Sequence, residues 1–161
     1  MINHRRGSVH ASVAARFLAS GKPGKADLGV LSIRQPRRVW VVFVAIVLWT
    51  ITFDTYYAMV DREDDLRIGI KSTAILFGRY DLLIVGLLQF AVVLLMATAG
   101  ILFDRGLIYF VGLAVAAGYF VNQHLVSRGR NRDACFKAFL NNHRVGMIIF
   151  IGLASDYLLN P

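Results

Sequence analysis

The sequence predicts an all-α fold, a polytopic membrane helix bundle of about four transmembrane helices. Three observations predict it. Hydrophobic residues make up 57% of the 161 residues, above the roughly 45–50% of ordinary globular domains. The excess is gathered into four long apolar stretches, the mark of bilayer-spanning helices. Those stretches are continuous rather than alternating, which argues against a transmembrane barrel.

Residues 1–38 lack a sustained apolar period. They hold eight basic side chains and one acid, Asp27, so the tail carries +7 of the formal net charge of +8. Gly7, Gly21, Gly24, Gly29, Pro23 and Pro36 punctuate it. This composition predicts a mostly disordered tail with a short helix near Val13–Ala19. The tail is Arg-rich and acid-poor, as targeting peptides are, but no clean apolar core and small-residue cleavage site follow Arg5-Arg6. Nucleic-acid binding is a poor reading of the charge, because no basic patch falls on the folded part and no aromatic residues interleave the tail's cations. Residues 39–161 form the second unit, a transmembrane helical domain.

Val39–Val60 is the first expected span, with Trp40 and Trp49 inside it and Tyr56 and Tyr57 towards its far end, where interfacial aromatics are common. Asp61–Asp81 reads as a polar connection too apolar for a plain loop, which suits a short interfacial helix. Leu82–Leu102 is the second span, Phe103–Gly106 a tight turn, and Leu107–Val126 the third span. Ser127–His143 reads as a basic connection with Phe136, Phe139 and Leu140 at helical spacing. Val145–Leu159 is the fourth span, short for a bilayer. The single cysteine, Cys135, excludes an intramolecular disulfide and any multi-cysteine metal site, and it reads as a small apolar filler.

Positive charges give a conflicting account of orientation. The two loops on one side, Asp61–Asp81 and Ser127–His143, are rich in Arg and Lys, which places them in the cytoplasm. The basic tail falls on the opposite side and cancels that bias. Either the tail lies too far from the first span to count, or it does not belong with the spans.

The sharpest chemical signal is Asp54-Thr-Tyr-Tyr-Ala-Met-Val-Asp-Arg-Glu-Asp-Asp65. It sets carboxylates at the end of an apolar run, where charge is costly and usually functional. On a continuous helix, Asp54, Asp61 and Asp65 fall within roughly 40° of one another. Like charges at i and i+4 repel, and a divalent cation removes that repulsion. Mg²⁺ takes one or two protein carboxylates, several waters and substrate phosphates. Asp61 and Asp65 suit such a partial shell, with Arg62, Arg67 and Lys71 near enough in sequence to hold a diphosphate. The opposing reading is an acidic helix end in water. It is preferred for Glu63 and Asp64, which point off the shared face, and spacing alone does not separate the two readings for the rest.

Several other residues have two readings. His124 is a ligand or a polar helix end. Asn141, Asn142 and His143 line a substrate entrance or hydrate a helix end. Asp156 pairs with a distant group or reaches the interface, and Gly112 with Ala116 offers a small-residue packing contact.

The stretch Asp54–Gly78, with its element Ile70-Lys-Ser-Thr73, resembles the second aspartate-rich motif of the UbiA family of intramembrane prenyltransferases. Ala134-Cys-Phe-Lys-Ala-Phe-Leu-Asn-Asn-His-Arg-Val-Gly146 resembles the stretch before that family's last span. The likeness is to the bacterial 4-hydroxybenzoate polyprenyltransferase branch and runs from about Val39 to the end. It implies a share of a nine-helix fold, with Asp61 and Asp65 on Mg²⁺–diphosphate, Lys71 as a diphosphate contact, and Asp54 as an acidic catalytic residue before the pair. The implied substrates are polyprenyl diphosphate and 4-hydroxybenzoate, in ubiquinone biosynthesis. The implied location is the bacterial inner membrane, with the aspartate-rich loop cytoplasmic. The family's earlier motif, N-D-x-x-D-x-x-x-D, is absent from this chain, which contains no Asn-Asp pair. The expectation is therefore the C-terminal part of such an enzyme, inactive alone, with a missing N-terminal half as partner. The alternatives are a UbiA-type enzyme with another acceptor and a non-catalytic four-helix membrane protein.

Overall fold

The computed structural model describes residues 36–159, and among them it is helical with no strand. The expected tail, including the helix near Val13–Ala19, lies outside the described residues apart from positions 36–38. Six α-helices follow in order: α1 (Pro36–Val60), α2 (Arg62–Ile68), α3 (Thr73–Phe77), α4 (Asp81–Leu102), α5 (Leu107–Val126) and α6 (Arg132–Leu159). Short 3₁₀ turns, Gly78–Tyr80 and Ser127–Gly129, precede α4 and follow α5.

Three segments among the described residues are long and apolar enough to cross a bilayer: Arg38–Val60, Thr73–Leu102 and Leu107–Gly129. They take in the first three expected spans, but the second begins at Thr73 rather than Leu82 and so includes the end of the expected polar connection. The fourth differs in form. It is the end of a 28-residue helix, α6, which also takes in most of the expected basic connection. Phe136, Phe139 and Leu140 sit at helical spacing because they are on a helix. Polar residues along its first half and Asp156 near its end keep α6 outside the apolar class.

Helices α5 and α6 approach closely where Gly112 faces Gly152. A Cβ added at Gly112 would lie 3.0 Å from the Gly152 Cα, so the absence of both side chains lets the backbones meet. The expected small-residue contact is thus centred on Gly112, with Gly152 as its partner across the interface. Ala116 is buried beside it in a cluster with Ala45, Val92, Met96, Tyr109, Leu113, Phe120 and Val145. Helix α1 joins α6 through large side chains. Trp49 Nε1 donates to Asn142 Oδ1 at 2.7 Å, which assigns Asn142 to helix pairing rather than to helix-end hydration.

Some polar groups inside the bundle are matched across helices. Gln89 Nε2 donates to Gln123 Oε1 at 3.2 Å, with Tyr56 Oη 3.4 Å away. The Tyr109 hydroxyl donates to the Met96 carbonyl at 2.8 Å. Such bonds tie spans together where water cannot compete. His124 lies against Gly86, half-buried in the α4–α5 seam, so its ring packs rather than simply reaching for the interface. The tight turn forms as expected. Asp104 takes φ 53°, the Arg105 N–H bonds the Gly100 carbonyl, and the Gly106 N–H donates to Asp156 Oδ2 at 2.9 Å. Asp156 is therefore a buried cap for the α4–α5 turn.

Candidate active site at the aspartate-rich end

Helix α1 does not run through the aspartate motif. The chain bends at Asp61, with φ −96° and ψ 5°, and restarts as α2 at Arg62. The Asp61 N–H still reaches the Tyr57 carbonyl at 3.3 Å, and the Asp65 N–H bonds the Asp61 carbonyl at 2.8 Å. Glu63, Asp64 and Asp65 fill the first turn of α2, where the helix dipole favours negative charge, and Arg67 lies in its last turn. Gly69, at φ 77°, ends the helix in the left-handed conformation that glycine adopts without strain.

This break corrects the expectation of three carboxylates on one face of one helix. Asp54 is exposed on α1, Asp61 is at the junction and Asp65 is on α2. Among the described residues, no group of three or more Asp, Glu, His or Cys residues gathers into a metal cluster. What survives is the pair: Asp61 and Asp65 remain one turn apart, joined by the backbone bond. Two hard carboxylates fit the share that a protein usually gives to a Mg²⁺–diphosphate, and not a closed cage. The two diphosphate candidates lie on the surface, and neither lines the cavity that holds Asp61. Arg67 is exposed and pairs with Asp64 at 3.7 Å, while Lys71 is exposed in the connection between α2 and α3.

A second acidic group organises this end. Asp81 opens α4 and is fully buried. Arg62 Nη1 donates to its Oδ2 at 3.1 Å, and Arg130 donates to it through both Nε and Nη2, the shortest bond being 2.7 Å. The Leu82 N–H donates to Oδ1 at 2.6 Å, and Arg130 Nη2 also reaches the Arg79 carbonyl at 2.9 Å. The Asp81 carboxylate holds the Arg130 guanidinium's pKa above its ordinary value. One carboxylate thus fastens the start of α2 and the turn before α6 to the head of α4. Spacing gave no hint of these partners. The available signal was an acid at the very start of a long apolar run, where an unpaired carboxylate is costly.

Arg132 completes the arrangement. It begins α6, and its Nη2 lies 3.6 Å from Asp61 Oδ1 and 3.5 Å from Asp64 Oδ2. It shares with Asp61 an open cavity of about 300 Å³, lined also by Tyr57, Val60, Asp133 and Phe136. Aromatic rings line one side. Tyr57 and Phe136 each pack on Phe139, with centroids 5.2 and 6.3 Å away, and Phe53 joins from α1. Cys135, fully buried near Asp81, is a packing residue. Burial, and then the neighbouring Asp81 charge, push its thiol above its ordinary pKa and keep it protonated.

The fold and this end define a multi-pass helical membrane protein with an acidic, arginine-flanked site beside an aromatic cavity. Residues 11–151 match the UbiA prenyltransferase family, and the chain belongs to that family. The match begins well before Val39. The chain is 55% identical over 123 residues to a 4-hydroxybenzoate octaprenyltransferase of Cronobacter sakazakii, covering 76% of this chain and 42% of that protein. It is 56% identical over 124 residues to the protein of the same name from Pseudomonas aeruginosa, covering 77% and 42%. The chain thus spans about 42% of the length of these curated relatives. A solved structure of digeranylgeranylglyceryl phosphate synthase in membranes superposes with TM-score 0.65 at 20% identity, over 74% of this chain and 43% of that one. It shares the fold.

Proposed function

We propose that this chain supplies the second aspartate-rich wall of a 4-hydroxybenzoate polyprenyltransferase of ubiquinone biosynthesis. The observation that carries the reading is the Asp61–Asp65 turn set beside an arginine and an aromatic-lined cavity. The names of the 54–56% identical relatives support the choice of substrates, polyprenyl diphosphate and 4-hydroxybenzoate.

Asp61 and Asp65 would hold Mg²⁺, which when bound supplies charge neutralisation for a departing diphosphate. Arg67 and Lys71, exposed on α2 and just after it, would attract the diphosphate's outer oxygens. Asp54, two turns earlier on α1, would add negative potential to this end of the bundle. Tyr57, Phe136 and Phe139 offer apolar surface to the prenyl chain and aromatic faces to an allylic cation. The transfer breaks the allylic C–O bond to diphosphate and forms a C–C bond to the aromatic ring, which loses a proton. The basic residues around α2, α3 and the turn before α6 favour a cytoplasmic setting for this end at a bacterial inner membrane, the basic tail left aside. The facing N-D-x-x-D-x-x-x-D wall is absent from this sequence. A second segment supplies it.

The test is prenyl transfer from a labelled polyprenyl diphosphate to 4-hydroxybenzoate in membranes. The chain is assayed alone and with a co-expressed segment that carries the first motif. Activity is expected only in the complemented membranes, dependent on Mg²⁺ and lost in Asp61→Asn and Asp65→Asn. Turnover by the chain alone, or complemented activity indifferent to Asp61→Asn, overturns the reading.

A further inference from the structure

The arginines around the aspartate-rich segment are not equivalent. Arg62 and Arg130 are committed to the buried Asp81. Arg67 leans on Asp64, its neighbour on the same helix. Arg132 alone among the described arginines pairs with Asp61, one of the two carboxylates proposed to hold the metal, and it does so from a different helix. Its base is well placed. Arg130, two residues earlier, is clamped to Asp81 and adopts φ 50°. The Asp133 N–H bonds the Asn131 side chain at 3.0 Å, and the Cys135 N–H bonds the Asn131 carbonyl at 2.9 Å. The start of α6 is thus fixed, while the Arg132 side chain is 63% exposed.

We propose that Arg132 is a diphosphate-binding residue, an exchangeable counter-ion that rests on Asp61 and Asp64 and transfers to the substrate's phosphates when a divalent cation takes Asp61. The inference rests on the reading of Asp61 as a metal ligand. Three features support it. At 3.5–3.6 Å from its partners, the guanidinium makes loose ion pairs rather than close hydrogen bonds, and exposed pairs of this kind are weak, so exchange costs little. A cation on Asp61 competes for the same oxygen that Arg132 faces. The released planar fork already lines the cavity that Asp61 lines, and its geometry matches two phosphate oxygens at once. The proposal makes the two binding events respond in opposite senses to loss of Arg132. A merely structural arginine would weaken both.

The test uses the full 161-residue chain in lipid nanodiscs, with Mn²⁺ binding followed by electron paramagnetic resonance and inorganic diphosphate as the phosphate probe. In Arg132→Gln, Mn²⁺ alone is expected to bind as tightly as in the wild type or up to about threefold tighter, because a competitor is gone. Mn²⁺-dependent diphosphate binding is expected to weaken about tenfold or more, the loss of a charge-assisted contact. Arg132→Lys keeps the charge without the fork and is expected to fall between the two. Unchanged diphosphate affinity in Arg132→Gln, or a parallel loss of Mn²⁺ affinity, overturns the role of Arg132. Mn²⁺ binding by the wild type that is indifferent to Asp61→Asn overturns the metal reading itself, and Arg132's role with it.

Discussion

A carboxylate at the head of a membrane helix is tolerated when its charge is matched, and Asp81 is matched by two arginines and a backbone N–H. Asp81→Asn keeps the shape and removes the charge that holds Arg62 and Arg130. It is expected to destabilise the chain by about 2–3 kcal/mol, at or below the bottom of the range for fully buried pairs because both arginines are partly exposed. Thermal unfolding in detergent reads this loss, and an unchanged midpoint contradicts it. Cys135 gives a second prediction at this scale. Its thiol pKa is raised in the folded chain, so the unfolded chain ionises first as pH rises. The thiol's contribution is complete below its ordinary value of 9.0 and declines above it. At pH 8, maleimide labelling of the folded chain should be at least about tenfold slower than in denaturant, since burial withholds the thiolate. Equal rates would place Cys135 at the surface.

Among the elements, α5 and α6 show how much a helix pair depends on missing atoms. With Gly112 and Gly152 facing each other, a larger residue at either position has backbone, not flexible side chain, in its way. Gly152→Leu is expected to cost about 1–3 kcal/mol by forcing the helices apart, with a matching fall in thermal stability. Retained stability would show that the pair slides freely. Gly112 was legible in the sequence as a small residue on an apolar face, but its partner 40 positions away was not. Helix α6 makes the same point about boundaries. The stretch Ser127–His143 reads as a polar connection when apolar continuity is the criterion, and its part from Arg132 onward belongs to α6. It is helical because Cys135, Ala138 and Val145 form a buried stripe along it, a 3.6-residue pattern that the charged residues between them obscure.

For the molecule as a whole, only 22–28% of the most apolar window of each candidate span is buried within the chain. Large side chains such as Leu87, Phe90, Leu94 and Phe150 lie exposed. This surface suits lipid or further helices rather than water. It accords with a chain that covers about 42% of its relatives' length and with the proposed need for a facing wall.

The sequence by itself determined the membrane-bundle class, the first three spans, the tight turn and the aspartate-rich motif. Hydropathy is summed over about 20 neighbouring residues, and motif spacing is local, so both survive without coordinates. The tertiary structure decided which charges meet. The bend at Asp61 dissolved the three-carboxylate face. Asp81 found its partners 19 and 49 residues away, and Arg132 came to Asp61 from another helix. Pairings of that kind depend on how helices pack, and one chain's residue order does not encode them at any readable spacing.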